Sequence, residues 1–188
     1  ETKGNGVPMY RDRSLVPTEA VRLAALGGLM EGRRRYDDLA EEIRFFTARV
    51  VGPSLDLLGS SLELLLIEGL AEETGGGGSG SATREIAITE SGHRAFHQLM
   101  AALVRAPLND ISRLVLILKL RFLPLLGAES QEDQLDMIAD LVRTERARLD
   151  ELAHEYSERP MAEWLAFDIE QADRRLAWLE ARMDALGL

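Results

Sequence analysis

Residues 55–94 read LDLLGSSLELLLIEGLAEETGGGGSGSATREIAITESGHR. The order of signals in this stretch decides the fold. Leu55 to Ile67 is a strongly apolar segment closed by Gly69, a helix ended by the residue that most readily takes a left-handed backbone. The period then changes. Leu70 to Glu73 and Arg84 to Ile88 are short strand-like runs, and Ile86 and Ile88 alternate with small or polar neighbours. Between them, residues 74–83 hold five glycines and two serines, a flexible hairpin loop. Thr89 is placed to cap a further helix that runs through Leu99 and Leu103 to about Val104.

Upstream, Val21, Ala24, Ala25 and Leu29 follow Thr18 at a spacing that turns one helical face inward, and Gly32 stops that helix. A second helix is expected from Tyr36 to Ala48, with Leu39, Ile43 and Phe46 on one side. Gly52-Pro53-Ser54 separates it from the third. Three helices followed by a two-stranded hairpin is the order of a winged helix-turn-helix, whose third helix enters the major groove of DNA. Residues 1–14 show no periodicity and are expected to be a flexible arm, so the winged domain is assigned to residues 15–105.

Residues 106–188 read as a helical dimerisation region, and the whole chain as mainly α. Asn109 and Asp110 precede an apolar helix from Ile111 to about Leu126. Leu135, Ile138, Val142, Leu149, Leu152 and Tyr156 form a heptad seam with Glu145 at the missing position. Arg159-Pro160 breaks it. Leu165, Ile169, Ala172, Leu176, Leu179, Met183 and Leu186 form an unbroken second seam, so an antiparallel helical hairpin is expected. Leu114, Ile117, Phe122, Leu176, Leu179 and Met183 are the candidate dimer residues, because a helix apolar nearly all round must be covered all round.

Length and composition narrow the classes. At 188 residues, with 46% apolar and 29% charged, the chain can bury a core without staples. It has no cysteine, which removes disulfides, thiolate metal sites and a cysteine nucleophile. The longest apolar run, Leu114 to Leu126, is interrupted by Lys119 and Arg121 and is shorter than the ~20 residues of a membrane span. The polar, mixed-charge start has no signal-peptide core. The expectation is a soluble, cytoplasmic protein with no membrane partner.

The net charge is −10, an argument against polyanion binding that local patches can override. Residues 1–105 carry 12 Lys and Arg against 15 Asp and Glu; residues 106–188 carry 10 against 17.

The stretch from Leu26 to Ala40, LGGLMEGRRRYDDLA, resembles the opening of PadR-family transcriptional regulators. The segment Asp56 to Leu70 is similar to the family's recognition helix with its Glu-Gly-Leu turn. Ile88 to Arg94 matches the Thr-Glu-x-Gly-x-Arg that follows the wing. The likeness covers residues 18–188 and implies a dimeric regulator of an operator, held by its C-terminal helices and, in some members, responsive to a small hydrophobic or aromatic effector. The recognition helix departs from the pattern: Gly59, Ser60, Glu63 and Leu64 stand where a Tyr-Pro pair and basic residues are usual, and no Lys or Arg lies between Gly52 and Arg84.

Candidate DNA contacts are therefore Arg33, Arg34 and Arg35 with the Tyr36 hydroxyl, then Arg44, Arg49 and Arg84 as phosphate clamps, and Ser54, Ser60 and Ser61 as hydrogen-bonding groups of the third helix. The competing reading of the arginines is a solvated cluster balanced by Asp37 and Asp38. His93 and His97 share a helix face but lack further ligands, and the glycine run lacks a Gly-Lys-Ser/Thr ending. Asp37, Asp38, Glu41 and Glu42 read as a solvated face, so no catalytic group, metal or cofactor is expected and an enzyme is not. The alternative function is a protein-interaction module on a winged-helix scaffold that has lost direct DNA binding.

Overall fold

The computed structural model describes residues 15–52, 58–74, 84–104, 106–156 and 158–187. The amino-terminal arm, Ser54, Asp56 and the tip of the hairpin lie outside the described residues. The elements are α1 (Pro17–Met30), β1 (Arg34–Arg35), α2 (Tyr36–Val50), α3 (Leu58–Ile67), β2 (Ala71–Glu73), β3 (Glu85–Ile88), α4 (Glu90–Met100), α5 (Asp110–Phe122), α6 (Ala128–Glu155) and α7 (Met161–Asp184), with a 3-10 turn at Leu123–Leu125.

α1 is the hub. It packs against α2, α3, α4 and α5 and buries Ala20, Val21 and every residue from Leu23 to Leu29. A helix covered on so many sides needs small residues where its neighbours come closest. A Cβ on Gly27 would lie 2.2 Å from the Phe122 ring, and one on Gly28 would lie 2.8 Å from Leu39.

The sheet is three-stranded and antiparallel, in the order β1-β3-β2, with Arg34 opposite Ile86 and Ala71 opposite Ile88. The expected sheet had only the two strands of the hairpin. Arg34 and Arg35 instead pair with β3, because a strand edge with free N–H and C=O groups is satisfied by whatever extended chain lies beside it. Two residues are too few to show an alternation in sequence.

Thr89 explains why the Glu-Gly-Leu turn and the Thr-Glu-x-Gly motif occur together. Its hydroxyl donates to the Gly69 carbonyl at 2.7 Å and accepts from the Gly92 N–H at 3.1 Å, and its own N–H reaches Leu70 O at 3.1 Å. Gly69 sits at φ +70°, where glycine carries no Cβ penalty. The two motifs are halves of one corner that fixes α4 to the end of α3. α4 stops at Met100, short of the expected Val104.

α5, capped by Asn109 (Oδ1 to Ser112 N, 2.8 Å), lies against α1 and α2. Leu114 and Phe122 are therefore buried inside the chain itself. α6 and α7 form the expected hairpin, packed along most of its length and crossed by Arg146 Nε to Asp173 at 2.6 Å. Leu165, Ala172 and Leu179 are buried in it, and Leu176 and Met183 are half-buried.

Candidate nucleic-acid interface

The winged-helix surface carries two ionic knots. At the first, Arg34 Nη2 of β1 lies 2.5 Å from Glu42 of α2, and Arg121 of α5 bonds the other oxygen of the same carboxylate. Burial by itself raises the Glu42 pKa, but the hydrogen bonds from Arg121 and Arg34 outweigh it and hold the carboxyl below its ordinary value. At the second, Arg84, at the base of the hairpin, pairs with Glu63 of α3 at 2.8 Å and Glu73 of β2 at 2.5 Å. Its guanidinium lies 5.0 Å over the Tyr36 ring, with the Glu63 carboxylate also beside Tyr36. Burial first, then the neighbouring Glu63 carboxylate, raises the Tyr36 phenol; the Arg84 hydrogen bonds lower Glu63.

Arg33, Arg44 and Arg49 are exposed and in no ion pair with another described residue, although Arg49 lies 5.0 Å over the Phe45 ring. Arg35 is exposed on β1. The exposed face of α2 also carries Asp37, Asp38 and Glu41. Ser60 and Ser61 fall within α3, but their side chains lie outside the described residues. Among the described residues of α3, the exposed groups are Leu64 and Ile67. The sequence reading missed the pairing of Arg84 with Glu63. Their separation of 21 residues carries no periodic signal.

A third polar cluster lies in the core. Lys119 of α5 is fully buried and donates to the Met100 carbonyl at the end of α4 and to Gln134 Oε1 of α6, the latter at 2.9 Å. The chain has 22 cationic side chains and two lysines, Lys3 and Lys119. The buried cation is the type that can shed its proton. Burial lowers its pKa from 10.5 to about 8. Below pH 8 the folded and unfolded chains both hold the proton, and folding bears the full cost of burying the charge. Between pH 8 and 10.5 the unfolded chain binds more protons, so stability rises with pH across that window. The gain expected is on the order of 3 kcal/mol. Urea midpoints of the wild type measured against Lys119→Met from pH 7 to 10 should show it; a difference independent of pH would refute it.

No group of three or more His, Asp or Glu placed to hold a metal ion occurs among the described residues. His93 and His97 lie on α4, with His97 edge-on to Phe96 at 5.4 Å. No helix among the described residues is long and apolar enough to cross a membrane.

The α6–α7 hairpin leaves Leu152, Tyr156, Met161, Trp164, Phe167 and Trp178 exposed, with Trp164 at 67% and Phe167 at 54%. At 100° per residue, Trp164, Phe167 and Trp178 fall on one stripe of α7, about 130° round from the buried seam. This stripe is separate from Phe122, which is buried against α1.

Residues 10–183 match the protein family described as "Putative AphA-like transcriptional regulator". Among solved structures, the chain is similar to Bacillus subtilis PadR in complex with operator DNA. Identity is 16% over 88% of this chain and 98% of that one, with a TM-score of 0.39. The same protein in complex with p-coumaric acid matches at 16% identity over 93% and 99%, also with a TM-score of 0.39. A PadR-like transcriptional regulator from Bacillus cereus matches at 15% identity over 89% and 98%, with a TM-score of 0.36. No curated protein matches the chain.

Proposed function

The chain belongs to the AphA-like family of transcriptional regulators, and from that premise we propose that it acts as a homodimer that occupies a double-stranded DNA operator through residues 15–105. The observation that carries the reading is that the family match spans the whole winged helix, with α3 set beside the three-stranded sheet. Arg33, Arg44 and Arg49 supply the phosphate contacts, since they are exposed and in no ion pair with another described residue. Ser60 and Ser61 of α3 supply base contacts. A second copy covers the exposed stripe of Trp164, Phe167 and Trp178, because an apolar face of that kind on a helical hairpin is an association surface. Residues 106–188 thus hold the dimer, and a flat hydrophobic or aromatic effector would enter at the same stripe, where tryptophan emission reports it.

Two-fold symmetry places the α3 helices in successive major grooves, about one turn apart. The test is a salt titration of binding to genomic DNA fragments, with light scattering on the same sample. Binding should weaken linearly in log–log form, and alanine at Arg33, Arg44 and Arg49 should flatten the slope by about 2 to 3 per protomer. Scattering should return twice the 20.9 kDa chain mass. No salt-dependent binding by the wild type would overturn the DNA reading in favour of a protein-interaction module. That alternative draws on the two knots, which neutralise Arg34, Arg84 and Arg121.

A further inference from the structure

Arg84 is the cation best placed to follow a DNA backbone, at the root of the hairpin and beside the helix that would enter the groove. Its guanidinium has two edges that can each take an oxyanion in paired hydrogen bonds. Both are filled. Glu73 Oε1 sits in the Nε/Nη2 fork, 2.5 Å from each nitrogen. Glu63 faces the other edge, with Oε1 2.8 Å from Nη1 and Oε2 3.5 Å from Nη2. The Tyr36 ring covers one face of the guanidinium at 5.0 Å. One cation is thus shared by two carboxylates, and the group carries a net negative charge at the place where a phosphate would approach.

We propose that Glu63, with Glu73, is a positioning residue that withholds Arg84 from the DNA backbone and locks the hairpin to α3. The proposal rests on the DNA-binding reading above and assigns a role within that surface. A phosphate reaching Arg84 has to displace a carboxylate already held in matched geometry, and it meets the second carboxylate as a like charge. The base of the hairpin, β2 and β3, is then presented to DNA as one piece with α3, with its angle set by Glu63 and the phosphate contacts made elsewhere. Glu63 is not free to accept a hydrogen bond from a base while Arg84 holds both its oxygens.

The experiment is a double-mutant cycle read as the slope of log affinity against log salt on one DNA fragment. Arg84→Ala alone should leave the slope unchanged, because a clamped guanidinium releases no counterion. Glu63→Gln keeps the side-chain size, opens the Nη1/Nη2 edge of Arg84 to a phosphate while Glu73 still holds the other edge, and should steepen the slope by about 1, the contribution of one added phosphate contact. Glu63→Gln with Arg84→Ala should lose that gain. A flatter slope for Arg84→Ala alone overturns the clamp, since Arg84 would already be on a phosphate. A gain that persists in the double variant also overturns it, since Glu63 would then act by simple repulsion. Absence of salt-dependent binding by the wild type is a different result and removes the DNA-binding reading itself.

Discussion

Alanine at Gly92 is expected to cost about 3 kcal/mol of folding stability, at the top of the usual range for overpacking. A Cβ built at this position falls 2.0 Å from Leu70 O, 2.6 Å from Ile88 Cγ1 and 3.1 Å from Leu70 C. The nearest atom is a backbone carbonyl, so no side-chain rotation relieves the clash. That carbonyl already accepts the Thr89 N–H at 3.1 Å. Moving it breaks the corner where Thr89 caps α4 and bonds Gly69, so the cap and the turn are strained together. For a domain whose total stability is about 5–15 kcal/mol, this is a large fraction. Urea unfolding followed by circular dichroism measures it. A midpoint shift worth less than about 1 kcal/mol would mean that α4 stands further from the Leu70 backbone than the structure places it.

Phe122→Ala should cost about 3–5 kcal/mol, the range for deleting a buried aromatic ring. The ring is fully buried, meets Phe96 edge-on at 6.1 Å and occupies the space that Gly27 leaves on α1. The concentration dependence separates the two roles this residue can have. A residue that seals the core of one chain loses the same stability at every protein concentration, whereas a dimer contact makes the loss grow with concentration. The expected result is a loss independent of concentration. Gly27→Ala combined with Phe122→Leu should cost less than the sum of the two single changes, because a smaller side chain makes room for the added methyl. Strict additivity would show that the two residues do not share the space.

Several features of this fold were readable before any coordinates. The helix from Tyr36, the corner glycine at Gly69, the cap Thr89 and the break at Pro160 all stand where the sequence places them. Each comes from interactions within a few residues: a side chain capping its own helix, an apolar face repeating every turn, a backbone angle only glycine takes easily. The order of three helices and a hairpin followed from them, and with it the winged-helix class.

Tertiary structure alone decided the pairing of β1, the fate of the charges and the role of the apolar helix. Arg34 meets Glu42 and Arg121, and Arg84 meets Glu63 and Glu73, across helices and strands distant in sequence. Until those elements pack, every arginine is equally a candidate for phosphate. Phe122 is covered by a glycine 95 positions earlier, so the helix that called for a second protomer finds its cover on α1. Local sequence dictates which segments coil or extend, because their hydrogen bonds close over short spans. Which charge is neutralised and which ring is buried depends on distances of a few ångströms between remote residues, and packing sets those distances.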